Sequence, residues 1–151
     1  MFNTALRIVN RAADAEDILQ ESFTDAFTQL SSFQNKSTFG AWLKQIVVFK
    51  SISFLKRQRI SFVDMEKATD LAEENHLDET EIWYTVDMIK QKIQQLPDGY
   101  RTVLSLYLFE GYDHEEISGI LGVAQSTVRT QYIRAKQKLL NLLKKGEVYE
   151  Q

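Results

Sequence analysis

The sequence predicts an all-α protein made of two small helical domains joined by an acidic linker. Helical periodicities run almost end to end, and no alternating strand pattern appears. The 151 residues include a single proline and six glycines, so helix breakers are scarce. An apolar share of 44% is sufficient for packed cores. We expect domains at 1–60 and 88–151, with the linker at 61–87.

Two helices joined by a tight turn form the clearest predicted element, between residues 113 and 143. Asp113 is a typical N-cap, and Glu116 three residues later completes a capping box. Gly122 follows where a helix ends in the left-handed conformation, and a second helix is predicted from about Gln125. This pattern predicts a helix-turn-helix in the C-terminal domain.

The second of these helices has an apolar side and an opposite polar side. The inward stripe is predicted to be Val128, Tyr132, Ala135 and Leu139. Short polar groups and cations on the other side suit the base edges and phosphates of a major groove. The outward side carries Ser126, Thr130 and Gln137, with Arg129 and Arg134 flanking them. The alternative is an ordinary helical hairpin whose basic surface is only solvated.

A net charge of −3 is unusual for a DNA-binding protein. Acids greatly outnumber bases between residues 61 and 90, however, which leaves the two flanking blocks mildly basic. The absence of cysteine excludes disulfides and thiolate metal sites. No apolar run is long enough to span a membrane, and no signal peptide is recognisable. We therefore expect a cytoplasmic protein without membrane insertion, metal or cofactor.

The N-terminal domain is expected to contain a short helix within residues 1–10 and then an amphipathic helix over 14–30. The buried face of the longer helix is predicted to be Ile18, Leu19, Phe23, Ala26, Phe27 and Leu30. Its other side is acidic, and Glu21 and Asp25 repel each other at i, i+4 by about 0.2–0.5 kcal/mol. Such a stripe indicates a basic partner, although a simply solvated face is the alternative.

A further helix is predicted from residue 39 to about 59, capped by Ser37 or Thr38. Its buried stripe is expected to be Trp42, Leu43, Ile46 and Phe49 or Lys50. Aromatic rings and cations around this helix are typical of surfaces that bind single-stranded nucleic acid. The candidate contacts are Phe33, Lys36, Trp42, Lys56, Arg57 and Arg59. Phe33 lies in a polar loop and suits base stacking best, whereas core packing is the simpler interpretation of Phe39 and Trp42.

Two helices are expected between the linker and the helix-turn-helix. One spans about 82–93. The other begins near Pro97, a residue favoured in the first turn, and ends near Gly111. Val103, Leu106 and Tyr107 are predicted to face inward.

Three motifs in this order resemble the extracytoplasmic-function (ECF) sigma factors of bacterial RNA polymerase. They are DAEDILQESF at 14–23, F-x5-F-x2-WL-x2-I at 33–46, and LPDGYRTVLSLYLFEGYDHEEISGILGV at 96–123 followed by TV and AKQKL. The resemblance covers nearly the whole chain. It implies that the N-terminal domain binds core polymerase and captures the unpaired −10 strand, and that the C-terminal domain reads the −35 element. An anti-sigma factor is a further implied partner. The implied polymerase contacts are Asp14, Glu16, Asp17, Gln20 and Glu21. The implied −35 contacts are Gln125, Ser126, Thr127, Arg129, Thr130 and Arg134.

The chain departs from the family pattern in ways that affect these expectations. The family's first helix has no counterpart before Met1. Phe49 stands where the family usually has Asn, a residue used at the flipped −10 base, and Ser53 stands where Asp is common. The resemblance therefore supports groove reading at −35 better than base capture at −10.

Two other functions explain part of the pattern. A helix-turn-helix transcriptional regulator leaves the acidic stripe unexplained, whereas a degenerate sigma-like adaptor is favoured by Phe49 and the absent first helix. An enzyme has the least support, because His76 and His114 lack metal-ligand spacing such as HExxH.

Overall fold

The computed structural model describes residues 1–58 and 85–149, with side-chain surroundings described as far as residue 145. Every regular element in these residues is helical, which confirms the all-α prediction. The helices are α1 Phe2–Val9, α2 Ala12–Thr28, α3 Phe39–Arg57, α4 Val86–Gln94, α5 Asp98–Leu108, α6 His114–Leu121 and α7 Gln125–Tyr149, with a short 3-10 turn at Leu30–Ser32. Two compact units divide the chain, Met1–Ile60 and Ser61–Gln151. The described residues do not include Arg59 or positions 61–84 of the predicted linker, where His76 lies.

The N-terminal unit is formed by α1, α2 and α3, each packed against the other two. Asn10 ends α1 in the left-handed conformation at φ 62°, and its N–H donates to the Leu6 carbonyl. Thr38 caps α3 by accepting a hydrogen bond from the Ala41 N–H at 3.2 Å, as predicted for one of the two candidates. Ala5 and Ile8 of α1 are fully buried in this core.

The predicted buried face of α2 is wrong for its three largest C-terminal side chains. Phe23, Phe27 and Leu30 are 39%, 73% and 49% exposed. The helix instead buries mostly small residues, together with the correctly predicted Ile18 and Ala26. The buried set is Ala15, Ile18, Ser22 and Ala26. Small side chains allow α2 to approach its neighbours closely, so the narrow side of the helix faces the core.

The predicted buried stripe of α3 is also wrong in part. Leu43 is buried, but Phe49 is 49% exposed and Lys50 forms ion pairs with α2. The helix turns a different side to the core, comprising Leu43, Val47, Val48, Ser51, Ile52 and Leu55. Apolar residues occur on almost every side of α3, so periodicity alone did not discriminate between these faces.

The C-terminal unit packs α4 and α5 against α7. Its core consists of Ile93, Leu96, Tyr100, Leu104, Ala135, Leu139 and Leu143. Arg101 is only 2% exposed; it donates to the Leu96 carbonyl at 3.2 Å and pairs with Asp98, which fixes the turn between α4 and α5. The α5 helix ends at Leu108 rather than near Gly111.

The rest of α5 matches its prediction except at one position. Val103 and Leu106 are buried, as predicted. Tyr107 is 37% exposed, because its ring packs along α6 and α7 rather than into the core.

The turn between α6 and α7 forms as predicted. Asp113 Oδ1 accepts from the Glu116 N–H at 2.8 Å, and Glu116 Oε1 accepts from the Asp113 N–H at 3.2 Å. Gly122 ends α6 at φ 71°, a left-handed conformation that costs a glycine little. The Ser118 hydroxyl donates to the Val123 carbonyl at 2.5 Å and further fixes the turn. These contacts confirm the helix-turn-helix.

Candidate nucleic-acid and protein interfaces

The α7 helix presents the predicted inward and outward sides. Val128 and Ala135 are fully buried, Leu139 is 6% exposed, and Tyr132 is partly buried. Ser126 and Arg129 are exposed, and Arg134 is partly exposed, on the other side of the helix. The inward stripe is therefore confirmed, while the DNA contacts themselves stay predictions.

Three side chains refine the outward side of α7. Thr127, a predicted contact, is only 9% exposed, so little of it is available to DNA. The Thr130 hydroxyl donates to the Ser126 carbonyl at 3.0 Å, so its proton is used within the helix and is not available to DNA. Ile133, which is not among the predicted DNA contacts, is 50% exposed. At about 100° per residue it falls on the outward side, so a helical wheel would have revealed it.

A cluster of three rings joins α5, α6 and α7 behind this surface. The ring centroids of Tyr107 and Tyr132 lie 4.6 Å apart, and His114 lies 5.2 Å from each. Burial, and then the neighbouring Tyr107, raise the pKa of Tyr132. Because each ring belongs to a different helix, the cluster fixes how α6 and α7 meet.

The acidic flank of α2 comprises Asp14, Asp17, Glu21 and Asp25. Lys50 of α3 lies against it, with its Nζ 2.5 Å from Asp25 and 4.0 Å from Glu21. Lys50 therefore supplies the basic partner that the i, i+4 acid pair indicated, and that pair is no longer evidence for an external one. Asp17 lines the same shallow groove and is exposed.

The apolar flank of α2 is a second exposed surface, formed by Phe23, Phe27 and Leu30. Phe23 and Phe27 lie one helical turn apart on α2, and Leu30 follows in the 3-10 turn just beyond the end of the helix. Glu16 and Gln20, two of the predicted polymerase contacts, are exposed on the same side of the helix. Contiguous exposed apolar side chains rimmed by polar ones are typical of a protein interface.

The loop before α3 is held to the helix by an aromatic cluster. Phe33 lies 5.1 Å from Trp42 and 6.0 Å from Phe39 between ring centroids. Phe33 and Trp42 are partly buried by these contacts, whereas Phe39 is 45% exposed. The interpretation of Phe39 as a core residue is therefore wrong, and its ring is the most open of the three.

An outward stripe of α3 connects this cluster with the basic end of the helix. Trp42, Phe49 and Lys56 recur every seven residues, so they share one side of α3. Trp42 and Phe49 also line one shallow groove with Gln45, Ile46 and Ser53. Lys56 lies roughly 21 Å from Trp42 along the axis, at about 1.5 Å per residue. Two further predicted −10 contacts are exposed, Lys36 in the loop and Arg57 at the helix end. The predicted −10 contacts therefore form a track along α3 rather than a single pocket.

Comparison with known proteins assigns both units. The family model "Sigma-70 region 2" matches residues 1–60, and "Sigma-70, region 4" matches residues 87–139. RNA polymerase sigma factor SigV of Bacillus subtilis is 32% identical over 89% of this chain and 78% of its own length. The ECF RNA polymerase sigma-E factor of Salmonella typhimurium is 30% identical over 86% of this chain and 74% of its own length. The chain belongs to the ECF sigma factors of the sigma-70 family.

Solved structures give this sigma factor the same fold. The sigma factor RpoE of Bartonella quintana, crystallised with the anti-sigma factor NepR, has a TM-score of 0.63 and 22% identity, over 95% of this chain and 89% of that one. CnrH, in complex with the cytosolic domain of CnrY, has a TM-score of 0.56 and 23% identity, over 95% and 79%.

Among the residues that the structure describes, no helix of this sigma factor combines the length and hydropathy needed to cross a bilayer. In the same residues no three His, Asp or Glu side chains lie close enough to hold a metal ion.

Proposed function

We propose that this sigma factor directs core RNA polymerase to a defined set of promoters and has no catalytic activity of its own. The observation that carries the proposal is the order of two sigma regions on two helical units with different exposed surfaces. The first exposes acidic and apolar side chains, and the second exposes short polar groups and arginines. As a partner of polymerase, the protein would act in the cytoplasm.

In this proposal α7 enters the major groove at the −35 element. Gln125, Ser126 and Thr130 would face base edges, and Arg129 and Arg134 would bind bases or phosphates. The positive N-terminus of α7 adds a further attraction for a phosphate. The buried Thr127 would contribute through its backbone more than through its side chain.

The α2 helix is proposed to bind core polymerase through two kinds of contact. Asp14, Glu16, Asp17, Gln20 and Glu21 would meet a basic surface, and the apolar flank would be buried beside them. Charged rim contacts set association rate and orientation, whereas buried aromatic side chains supply most of the affinity. Polymerase and an anti-sigma factor, the kind of partner with which the structural relative RpoE was crystallised, are both candidates to cover the apolar flank.

The outward stripe of α3 is proposed to hold the unpaired −10 strand. Bases would stack on exposed rings near Phe33, Phe39 and Trp42, while phosphates would follow Lys36 and the basic helix end. Arg59, outside the described residues, would extend that basic end. Phe49 lies midway along this track and offers an aromatic ring where the family usually has an amide.

Run-off transcription with core polymerase on a promoter library tests the proposal. We expect start sites that share an upstream sequence. Core binding without transcripts would instead indicate an adaptor, and duplex binding without core binding would indicate a regulator independent of polymerase.

Arg129→Ala tests the −35 assignment within that assay. We expect promoter binding to weaken by about tenfold, as for the loss of one good base contact. Lys144→Ala is the matched control, because it removes the same charge roughly 22 Å farther along α7. Equal effects of the two variants would mean that α7 attracts DNA only by charge.

Asp17→Arg tests the polymerase-binding assignment. We expect weaker binding to core polymerase and unchanged binding to promoter duplex, measured with the two ligands separately. Asp87→Arg in α4 makes the same charge change outside the N-terminal unit and should leave core affinity intact. An unchanged affinity of the Asp17 variant would remove the acidic flank from the interface.

A further inference from the structure

Ile133 is an apolar side chain on a surface that is otherwise polar. It is 50% exposed, and it shares the outward side of α7 with Ser126, Thr130 and Gln137. An exposed aliphatic residue is by itself ordinary on a protein surface. The position of Ile133, between Arg129 and Gln137 on the side proposed to face DNA, makes it informative.

Hydrogen-bond donors surround Ile133 at Arg129, Arg134 and Gln137, whereas Thr130 and Ile133 themselves offer DNA none. The Thr130 hydroxyl gives its proton to the Ser126 carbonyl at 3.0 Å, so Thr130 offers DNA an acceptor and a methyl group. Ile133 offers only carbon, and β-branching holds it near one rotamer in a helix. One turn of α7 therefore presents two methyl-bearing side chains in place of donors.

The major groove contains one apolar group that such a surface can contact. Thymine displays its C5-methyl there, whereas the other base edges are mainly donors and acceptors. Isoleucine placed over a donor or acceptor would displace water without replacing its hydrogen bond, which is unfavourable. Ile133 lies about 12 Å along the axis from the start of α7, one residue before Arg134, which is itself a proposed DNA contact.

We propose that Ile133 selects thymine at one position of the −35 element by packing against its C5-methyl group. The assignment rests on the proposed −35 function of α7 and adds one sequence-determining contact to it. The arginines supply affinity and read polar edges, while Ile133 discriminates by apolar contact alone.

Replacement of thymine by uracil tests this contact, because uracil lacks only the methyl group. Holoenzyme is assembled from the full chain and core polymerase, and a promoter active in the run-off library is chosen. Each thymine in the protected upstream duplex is then replaced singly, and duplex affinity is measured by competition. We expect one replacement to weaken wild-type binding about fourfold, as for the burial of one methyl-sized group.

Ile133→Ala should remove that preference, so that thymine and uracil duplexes bind within about twofold of each other. The substitution is exposed and introduces the best helix former, so the fold is retained. Leu108→Ala is the matched control, because Leu108 is 48% exposed on α5 and should keep the preference.

Different results would contradict the −35 function of α7 and the contact of Ile133 with thymine. Holoenzyme that protects no upstream duplex would contradict the −35 function of α7, and the Ile133 contact with it. If the holoenzyme protects the upstream duplex but binds it equally well with uracil at every thymine, only the Ile133 contact is overturned. The Ile133 contact is also overturned if the Ile133→Ala variant still prefers thymine to uracil.

Discussion

Helices α2 and α7 are both amphipathic, yet they expose opposite kinds of side chain. The α7 helix buries Val128, Ala135 and Leu139 and leaves mainly polar groups outside. The α2 helix buries small residues such as Ala15 and Ala26 and leaves its phenylalanines outside. In the proposed function, α7 faces a polar, anionic groove and can bury its large apolar side chains in its own domain. The α2 helix, proposed to bind another protein, retains them for that partner.

Loss of a large core side chain from α7 should have the largest effect. Leu139→Ala removes a side chain that is 6% exposed in the C-terminal core, and we expect a loss of about 2–5 kcal/mol in the free energy of unfolding. Urea unfolding of the full chain measures it. Ile133→Ala on the same helix should change stability by less than about 0.5 kcal/mol. Similar losses for the two variants would contradict the orientation of α7.

Enlarging a small buried residue of α2 should have the next largest effect. Ala26→Leu adds volume at a position that is 2% exposed, and we expect a loss of about 1–3 kcal/mol from overpacking. Phe27→Ala, one residue away and 73% exposed, should be nearly neutral for stability. The reverse ranking in urea unfolding would show that α2 buries its large side chains after all.

The same Phe27→Ala variant should lose affinity for core polymerase. Truncation of a buried interface aromatic typically costs about 1–2 kcal/mol, so we expect roughly five- to thirtyfold weaker binding. Phe39→Ala is the control, because Phe39 is an exposed aromatic residue on α3, outside the apolar flank, and should leave core affinity unchanged in the absence of DNA. If both variants bound core polymerase equally weakly, the loss of affinity would follow from removing any exposed aromatic ring and not from the apolar flank.

Lys50→Ala should have the smallest effect on stability. It also tests which of the two flanks of α2 binds polymerase. It removes the ion pairs with Asp25 and Glu21 and should lower stability by less than about 1 kcal/mol. It also frees two carboxylates, so affinity for a basic polymerase surface should rise, most clearly at low salt. Binding measured at two salt concentrations checks this. Unchanged binding would confine the interface to the apolar flank.

Local signals in the sequence were sufficient where a few neighbouring residues determine the geometry. The capping box at Asp113, the left-handed Gly122 and the Thr38 cap depend on contacts within about five residues, so their patterns predicted them. The inward stripe of α7 was equally clear, because apart from Ile133 the large apolar residues from Val128 to Leu139 lie on one side.

Sequence patterns did not identify the faces of α2 and α3. On α2, hydrophobicity marks the large Phe23 and Phe27, but close packing against α1 and α3 accepts small residues there. The pairing of Lys50 with Asp25 joins residues that are distant in sequence, so no local pattern indicates it. Thr127 is only 9% exposed for the same reason, because burial depends on neighbouring helices.

The sequence by itself determined the helices, their caps, the order of the two sigma regions and the polar outward side of α7. These features follow from local hydrogen bonding and from the helical period. Only the tertiary structure decided which side of α2 is left exposed, and that Lys50 already neutralises part of its acidic flank. Packing selects a helix face by shape as well as by hydrophobicity, and shape complementarity exists only once the neighbouring helices are in place.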